Sequence, residues 1–147
     1  MKLKKITDNI AFGTNILDIE IPEHLTRKFK SGLSFVDGAM GGEGFTPSAV
    51  TLFTGTPGAG KTTLMLTLAD AMTKQGASVL FNTAEESLYQ TAMTAKRLRL
   101  RNGFQAGNSA DVKEIIANAT KMAAKAKKAG EQFVLIVDSL QLSLIHI

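Results

Sequence analysis

The segment Gly55-Thr56-Pro57-Gly58-Ala59-Gly60-Lys61-Thr62 fits the spacing Gly-x-x-x-x-Gly-Lys-Ser/Thr, and each residue type in it has a use on a polyphosphate. Gly55, Gly58 and Gly60 permit backbone angles and close approach that a Cβ would obstruct, so successive N–H groups can turn inward around phosphate oxygens. Lys61 supplies a mobile positive charge for the β and γ phosphates, and the Thr62 hydroxyl suits Mg²⁺. The plainer alternative is a glycine-rich turn before an ordinary helix, and the flanking residues argue against it.

Ala49 to Phe53 is short, apolar and β-branched enough to be a buried strand, and Gly55 then releases the chain into a turn. After the loop, Leu64, Met65, Leu68, Ala69 and Met72 recur at helical spacing, with Gly76 as the stop. The loop therefore opens onto a helix N-terminus, where unpaired N–H groups and the positive end of the helix dipole favour an anion.

A second carboxylate source lies where Val134 to Val137 form an aliphatic run closed by Asp138. A core strand ending in an acid is common, so this pattern gains meaning only beside the glycine loop, as a strand delivering a Mg²⁺ ligand. Ser78 to Thr83 is another strand candidate, and Ala84-Glu85-Glu86-Ser87 follows its C-terminal end, where α/β sheets build their sites. Hydrolysis of a phosphoanhydride needs a base or water-positioning group, and Glu85 or Glu86 can supply it. Both carboxylates would equally favour the N-terminus of a following helix.

The remaining elements follow from periodicity. Met1 to Lys30 shows no sustained period and reads as an N-terminal arm, with Ser31 to Ser48 as a glycine-rich connector. A helix is predicted from about Glu86 to Leu100, and a brief strand over Phe104 to Ala106. Ser109 or Asp111 caps a further helix, Glu114 completing a capping box from Asp111, with Val112, Ile115, Ile116, Ala119, Ala123 and Ala126 as its apolar stripe. Gln132 to Asp138 reads as a strand covered on both faces. Strands alternating with helices imply a parallel, three-layer α/β/α sheet.

Composition narrows the class. The chain has 147 residues, 44% hydrophobic, which is room for one domain with a core. No apolar run reaches the roughly 20 residues of a membrane span, and the lysine-rich start lacks a signal peptide's apolar stretch, so a cytoplasmic protein is expected. With no cysteine, disulfides and thiolate zinc sites are excluded. The net charge of +4 comes largely from Lys96, Arg97, Arg99 and Arg101, and from Lys121, Lys125, Lys127 and Lys128. Both clusters end helical patterns, where cations complement the dipole, so they do not by themselves indicate a nucleic-acid surface.

Taken together, these residues resemble the RecA-like ATPases, and within them the branch of RadA/Sms-type and KaiC-like proteins. The resemblance runs from about Ser31 to Gln141: Ser31-Gly32-Leu33, Gly41-Gly42 and Pro47-Ser48 as the lead-in, Gly55 to Thr63 as Walker A, Ala84 to Ser87 as the glutamate motif, and Val134 to Gln141 as Walker B with a trailing Asp-Ser-x-Gln. It implies ATP bound by Gly55 to Thr63, including Thr56, Pro57, Ala59 and Lys61. It also implies Mg²⁺ held by Thr62 and Asp138, Glu85 activating water with Glu86 as the alternative, and Gln141 coupling nucleotide state to the rest of the protein. The resemblance further implies DNA recombination, repair or replication by a homo-oligomeric ring or filament, with a nucleotide-dependent regulatory scaffold of little turnover as the alternative. Bacterial RadA proteins usually carry a four-cysteine zinc finger, which this chain lacks, so phage-encoded, archaeal-like or replicative-helicase relatives remain open.

The end of the chain is unusual. Leu142 to Ile147 is the hexapeptide that the bases CTG TCT CTT ATA CAC ATC would encode, and those bases resemble a transposase end used in library adapters. A truncated fragment with a non-native tail is expected, leaving the core incomplete after Gln141 and His146 without a catalytic part. In the resembled sheet the next strand lies between the Walker A and Walker B strands, so unpaired edges, marginal stability, aggregation and weak hydrolysis are expected of the isolated chain.

Overall fold

A computed structural model describes residues 10–139. Gln141 and the segment 142–147 lie outside the described residues. The N-terminal part contains a 3₁₀ turn at Ile16–Asp18, α1 (Glu23–Thr26) and α2 (Ser34–Ala39). Its only strand-like contact among the described residues is an antiparallel bridge from Phe29 to Phe45. Then come α3 (Lys61–Lys74), β1 (Ser78–Thr83), α4 (Leu88–Arg97), β2 (Gln105–Gly107), α5 (Val112–Ala129) and β3 (Phe133–Asp138).

The sheet is parallel throughout, in the order β2-β1-β3. Thr83 pairs in register with Asp138, and Asn82 with Gly107, so three strand ends deliver their following residues to one edge. The apolar run Val79 to Phe81 is wholly buried. Alternate side chains on a strand point to opposite faces. Val79 and Phe81 join one apolar cluster with Met65, Leu66, Leu68, Ala69 and Met72 of α3. Leu80, between them, is buried outside that cluster and faces the side where α5 packs with Ala119 and Ala126. This is the three-layer α/β/α arrangement expected from the alternation of elements.

Several boundaries match the sequence reading closely. β1 occupies Ser78–Thr83, and β2 is displaced by one residue from the expected Phe104 to Ala106. α3 stops where Gly76 adopts a φ of 91°, and α5 stops at Gly130, φ 71°. Left-handed angles cost a residue with a Cβ about 1–2 kcal/mol, so glycine ends both helices cheaply.

Five expectations fail, each for a local reason. Ala49 to Phe53 is not a strand: a strand exists through partners, and this segment pairs with none among the described residues, leaving Val50 97% and Leu52 69% exposed. α4 starts at Leu88 rather than Glu86, because Ser87 caps it, accepting from the Gln90 N–H while Gln90 reciprocates to the Ser87 N–H. On α5, Asp111 is the cap but Glu114 does not close a box with it; its carboxylate accepts instead from the Ser109 hydroxyl at 2.6 Å. The α5 stripe is also narrower than its apolar residues, since Val112 and Ile116 are exposed while Ala119 and Ala126 are buried. β3 is likewise less covered than its sequence implies, with only Ile136 buried and Leu135 exposed.

Candidate active site

α3 begins directly after the loop. Its N-cap, Gly60, has φ 88° and offers no side chain to the first-turn N–H groups. The four donors of a helix start need partners, and here none comes from a capping side chain, which suits an anionic ligand. Gly58 also has a positive φ, 77°, and neither glycine has an atom within 4 Å of where a Cβ would stand. Their need for glycine is therefore conformational, and the space above them is open. Gly55 differs. Its φ is not positive, and a Cβ there would make ordinary 3.5 Å contacts with Ala59 and Lys61. Of the three glycines expected to permit unusual backbone angles and close approach to phosphate, two adopt such angles.

Lys61 curls over the loop, its Nζ donating to the carbonyls of Gly55 at 2.7 Å and Thr56 at 3.0 Å. An ammonium has three donors, so this holds the charge above the loop with one donor to spare. Thr62, the next residue, donates its hydroxyl to Asp138 Oδ2 at 2.8 Å, across 76 positions of sequence. The structure thus joins the two halves read separately as Walker A and Walker B. A hydroxyl and a carboxylate oxygen are hard donors of the kind Mg²⁺ takes, with the rest of its octahedron normally filled by phosphate and water. No cluster of three or more His, Cys, Asp or Glu exists among the described residues.

The third part arrives from β1. Glu85 is exposed in the turn after Thr83, and its Oε1 accepts from the Ser139 hydroxyl at 2.8 Å. Glu86 is half-buried, and its backbone is held on both sides: its N–H reaches Thr83 Oγ1 at 3.2 Å and its carbonyl accepts from Asn108 Nδ2 at 2.9 Å. Of the two glutamates left open by sequence, Glu85 is the one whose carboxylate stands beside the Walker B end. Asn108 and Ser139 were not assigned roles from sequence. Asn108 had no signal but its position after a strand end, and Ser139 stood only as the serine of the trailing Asp-Ser-x-Gln pattern.

Two cavities, of about 490 and 350 Å³, open elsewhere. They are lined by Arg27, Pro47 and Gln132 in one case and by Ser78, Gln105 and Glu131 in the other, at the strand starts opposite the loop. A phosphate-binding loop is an open cradle, so its absence from these cavities does not count against it.

Comparison with known proteins agrees with this geometry. The family model described as AAA domain matches residues 44–142. DNA repair protein RadA of Haemophilus influenzae is 44% identical over 81 residues, covering 55% of this chain and 17% of that protein. RadA of Helicobacter pylori is 38% identical over 96 residues, 65% of this chain and 21% of that protein. RadA of Chlamydia pneumoniae is 34% identical over 110 residues, 72% of this chain and 22% of that protein. The chain thus spans about a fifth of the length of these curated relatives. No solved structure matches it. A parallel sheet carrying a glycine loop at one edge, a family match that contains the whole loop, and repeated similarity to RadA lead to one assignment: the chain belongs to the AAA-domain family, as a RecA-like P-loop ATPase similar to the RadA proteins.

Proposed function

We propose that the chain binds Mg-ATP at Gly55 to Thr63 and hydrolyses it to ADP and phosphate. The observation that carries the reading is the Thr62–Asp138 contact, which brings the two expected Mg²⁺ ligands to one point beside the loop. Backbone N–H groups of Gly58 and of Gly60 to Thr63 face the phosphates, with Thr56, Pro57 and Ala59 shaping the turn, where the Ala59 N–H donates to the Thr56 carbonyl. Lys61 exchanges its carbonyl partners for β and γ phosphate oxygens. Bound Mg²⁺ supplies charge neutralisation across those oxygens. Glu85 orients a water in line with the γ phosphorus and takes its proton as the new P–O bond forms. The bond to the bridging oxygen breaks, and ADP leaves with the electron pair.

In the complete protein this turnover drives a DNA-repair activity like that named for the relatives, in a cytoplasmic homo-oligomer. The AAA-domain match and the similarity to RadA support that reading. No described helix is long and apolar enough to cross a membrane. Residues 31–141 form the ATPase portion and 1–30 a lead-in.

Calorimetric titration with Mg-ATP tests the loop. Lys61→Ala should weaken binding about tenfold or more, a loss of at least about 1.4 kcal/mol. Equal affinities would sink the assignment. Glu85→Gln should keep binding and lose turnover; in the complete protein, retention of biological function by that variant would favour the regulatory scaffold over the motor.

A further inference from the structure

Glu85 is an exposed glutamate on a turn, and a free glutamate side chain gives up on the order of 1.5–2 kcal/mol of rotamer freedom when it is held in one orientation. A base aimed at one water therefore needs something to hold it. The backbone around Glu85 is well fixed. Ala84 N–H donates to the Asp138 carbonyl at 3.2 Å, and Asn108 Nδ2 spends its two donors on the carbonyls of Thr83 and Glu86, at 2.8 and 2.9 Å. These contacts place the turn but leave the carboxylate free to rotate. Among the described residues, the one ion pair is Arg27–Glu23, far from this turn in sequence, so none of the described cations pairs with Glu85. Its carboxylate has a single hydrogen-bond partner there, the hydroxyl of Ser139.

We infer that Ser139 is the positioning residue for Glu85, fixing Oε1 so that Oε2 is presented to the attacking water. This deepens the proposed hydrolysis and rests on it. Two consecutive residues then hold two arms of the chemistry. Asp138 meets Thr62 on the metal side and Ser139 meets Glu85 on the water side, both at 2.8 Å. A displacement of the β3 end would carry both arms with it, so the ion and the water would be engaged or released as a unit. Ser139 acts only through Glu85 and touches no reacting atom.

Single-turnover hydrolysis, with the chain in excess over ATP, reads even slow rates. Ser139→Ala should lower the rate about 10- to 100-fold, the scale of a misaimed catalytic group, while Mg-ATP affinity stays within about twofold. Ser139→Thr, which keeps the hydroxyl, should recover most of the rate. In a Glu85→Gln background Ser139→Ala should add little, because the group it positions is already gone. Binding gives a readout independent of turnover: Ser139→Ala should weaken the Mg-ADP-fluoroaluminate complex and leave Mg-ADP binding unchanged. An active parent whose rate and fluoroaluminate affinity survive Ser139→Ala would overturn the inference alone. So would a threonine variant as slow as the alanine one. A parent that shows neither turnover nor preference for fluoroaluminate would overturn the hydrolysis reading, and this inference with it.

Discussion

The two sides of the phosphate loop are held very differently. On the outgoing side α3 is embedded: Leu66 and Ala69 are fully buried, and Leu68 and Met72 nearly so. On the incoming side Ala49 to Phe53 is apolar yet unpaired, with Val50 almost wholly exposed. The loop is thus anchored mainly by its helix, the incoming side contributing only the half-buried Phe53 to the core. A helix satisfies its backbone internally and needs only a packed stripe, whereas a strand must find a neighbour for every N–H and C=O. Equal apolar content therefore has unequal structural consequences on the two sides.

The largest expected effect lies on the helix side. Leu66→Ala should cost about 2–5 kcal/mol, the range for a buried leucine whose cavity only partly collapses. Urea unfolding of parent and variant checks it, and a cost below about 1 kcal/mol would mean that α3 is not the anchor. Next comes Asp70, near the middle of α3 and 9% exposed. Burial alone would push its carboxyl up, but hydrogen bonds from the Asn102 side chain and from the Asn102 and Gly103 N–H groups hold it below its ordinary value of 3.8. A depressed folded-state value means that the stabilisation is complete above pH ~3.8 and lost as pH falls through the folded value. Asp70→Ala should cost about 1–3 kcal/mol at pH 7, since it strands part-buried donors. The gap between parent and variant should close as the pH falls below 3.8, and a gap independent of pH would show that the carboxylate is not what ties α3 to the turn before β2.

Within the loop the contrast continues on a smaller scale. Gly60→Ala forces a Cβ onto φ 88° and should cost about 1–2 kcal/mol through strain alone, because nothing crowds the position. Gly55→Ala meets only ordinary contacts and should cost less, provided no ligand is present. Thermal melts of the two variants without nucleotide should rank them in that order; the reverse ranking would place the conformational demand at the start of the loop.

What could be read from sequence divides along the same line. Local signals sufficed where the backbone is satisfied locally: Gly76 marked a helix end, and the loop spacing marked a helix start. β1 was legible because Val79 to Phe81 is both β-prone and buried on both faces. Ala49 to Phe53 carries the same kind of text, but its strand character depends on a neighbour that no local pattern records. On α5, Val112 and Ile116 fit the period and are exposed, because the period names a face without saying how far the covering sheet extends. At the site, Lys61, Thr62 and Asp138 could be singled out because the chemistry expected of them restricts residue type at fixed spacing. Asn108 and Ser139 were not, because a hydrogen bond from an amide or hydroxyl to a group 22 or 54 residues away leaves no trace in spacing.

The smallest expected effect on stability tests the exposed side, and it should have the clearest effect on solubility. Val50 and Leu52 contribute little burial, so Val50→Thr with Leu52→Thr should change the unfolding free energy by less than about 0.5 kcal/mol. The same pair should raise the concentration at which light scattering begins, because an extended apolar segment with free N–H and C=O groups is a template for a second chain. The two readouts must separate for the comparison to stand. A double variant destabilised by 1.5 kcal/mol or more would show that Ala49 to Phe53 is packed in solution and that the loop is anchored on both sides. A parent that already melts cooperatively as a monomer, with scattering no different from that of the variant, would remove the unpaired segment as a source of association. If stability holds while scattering falls, the exposed side chains of the incoming segment are dispensable to the fold of this chain, and Gly55 to Thr63 keeps its shape chiefly from α3.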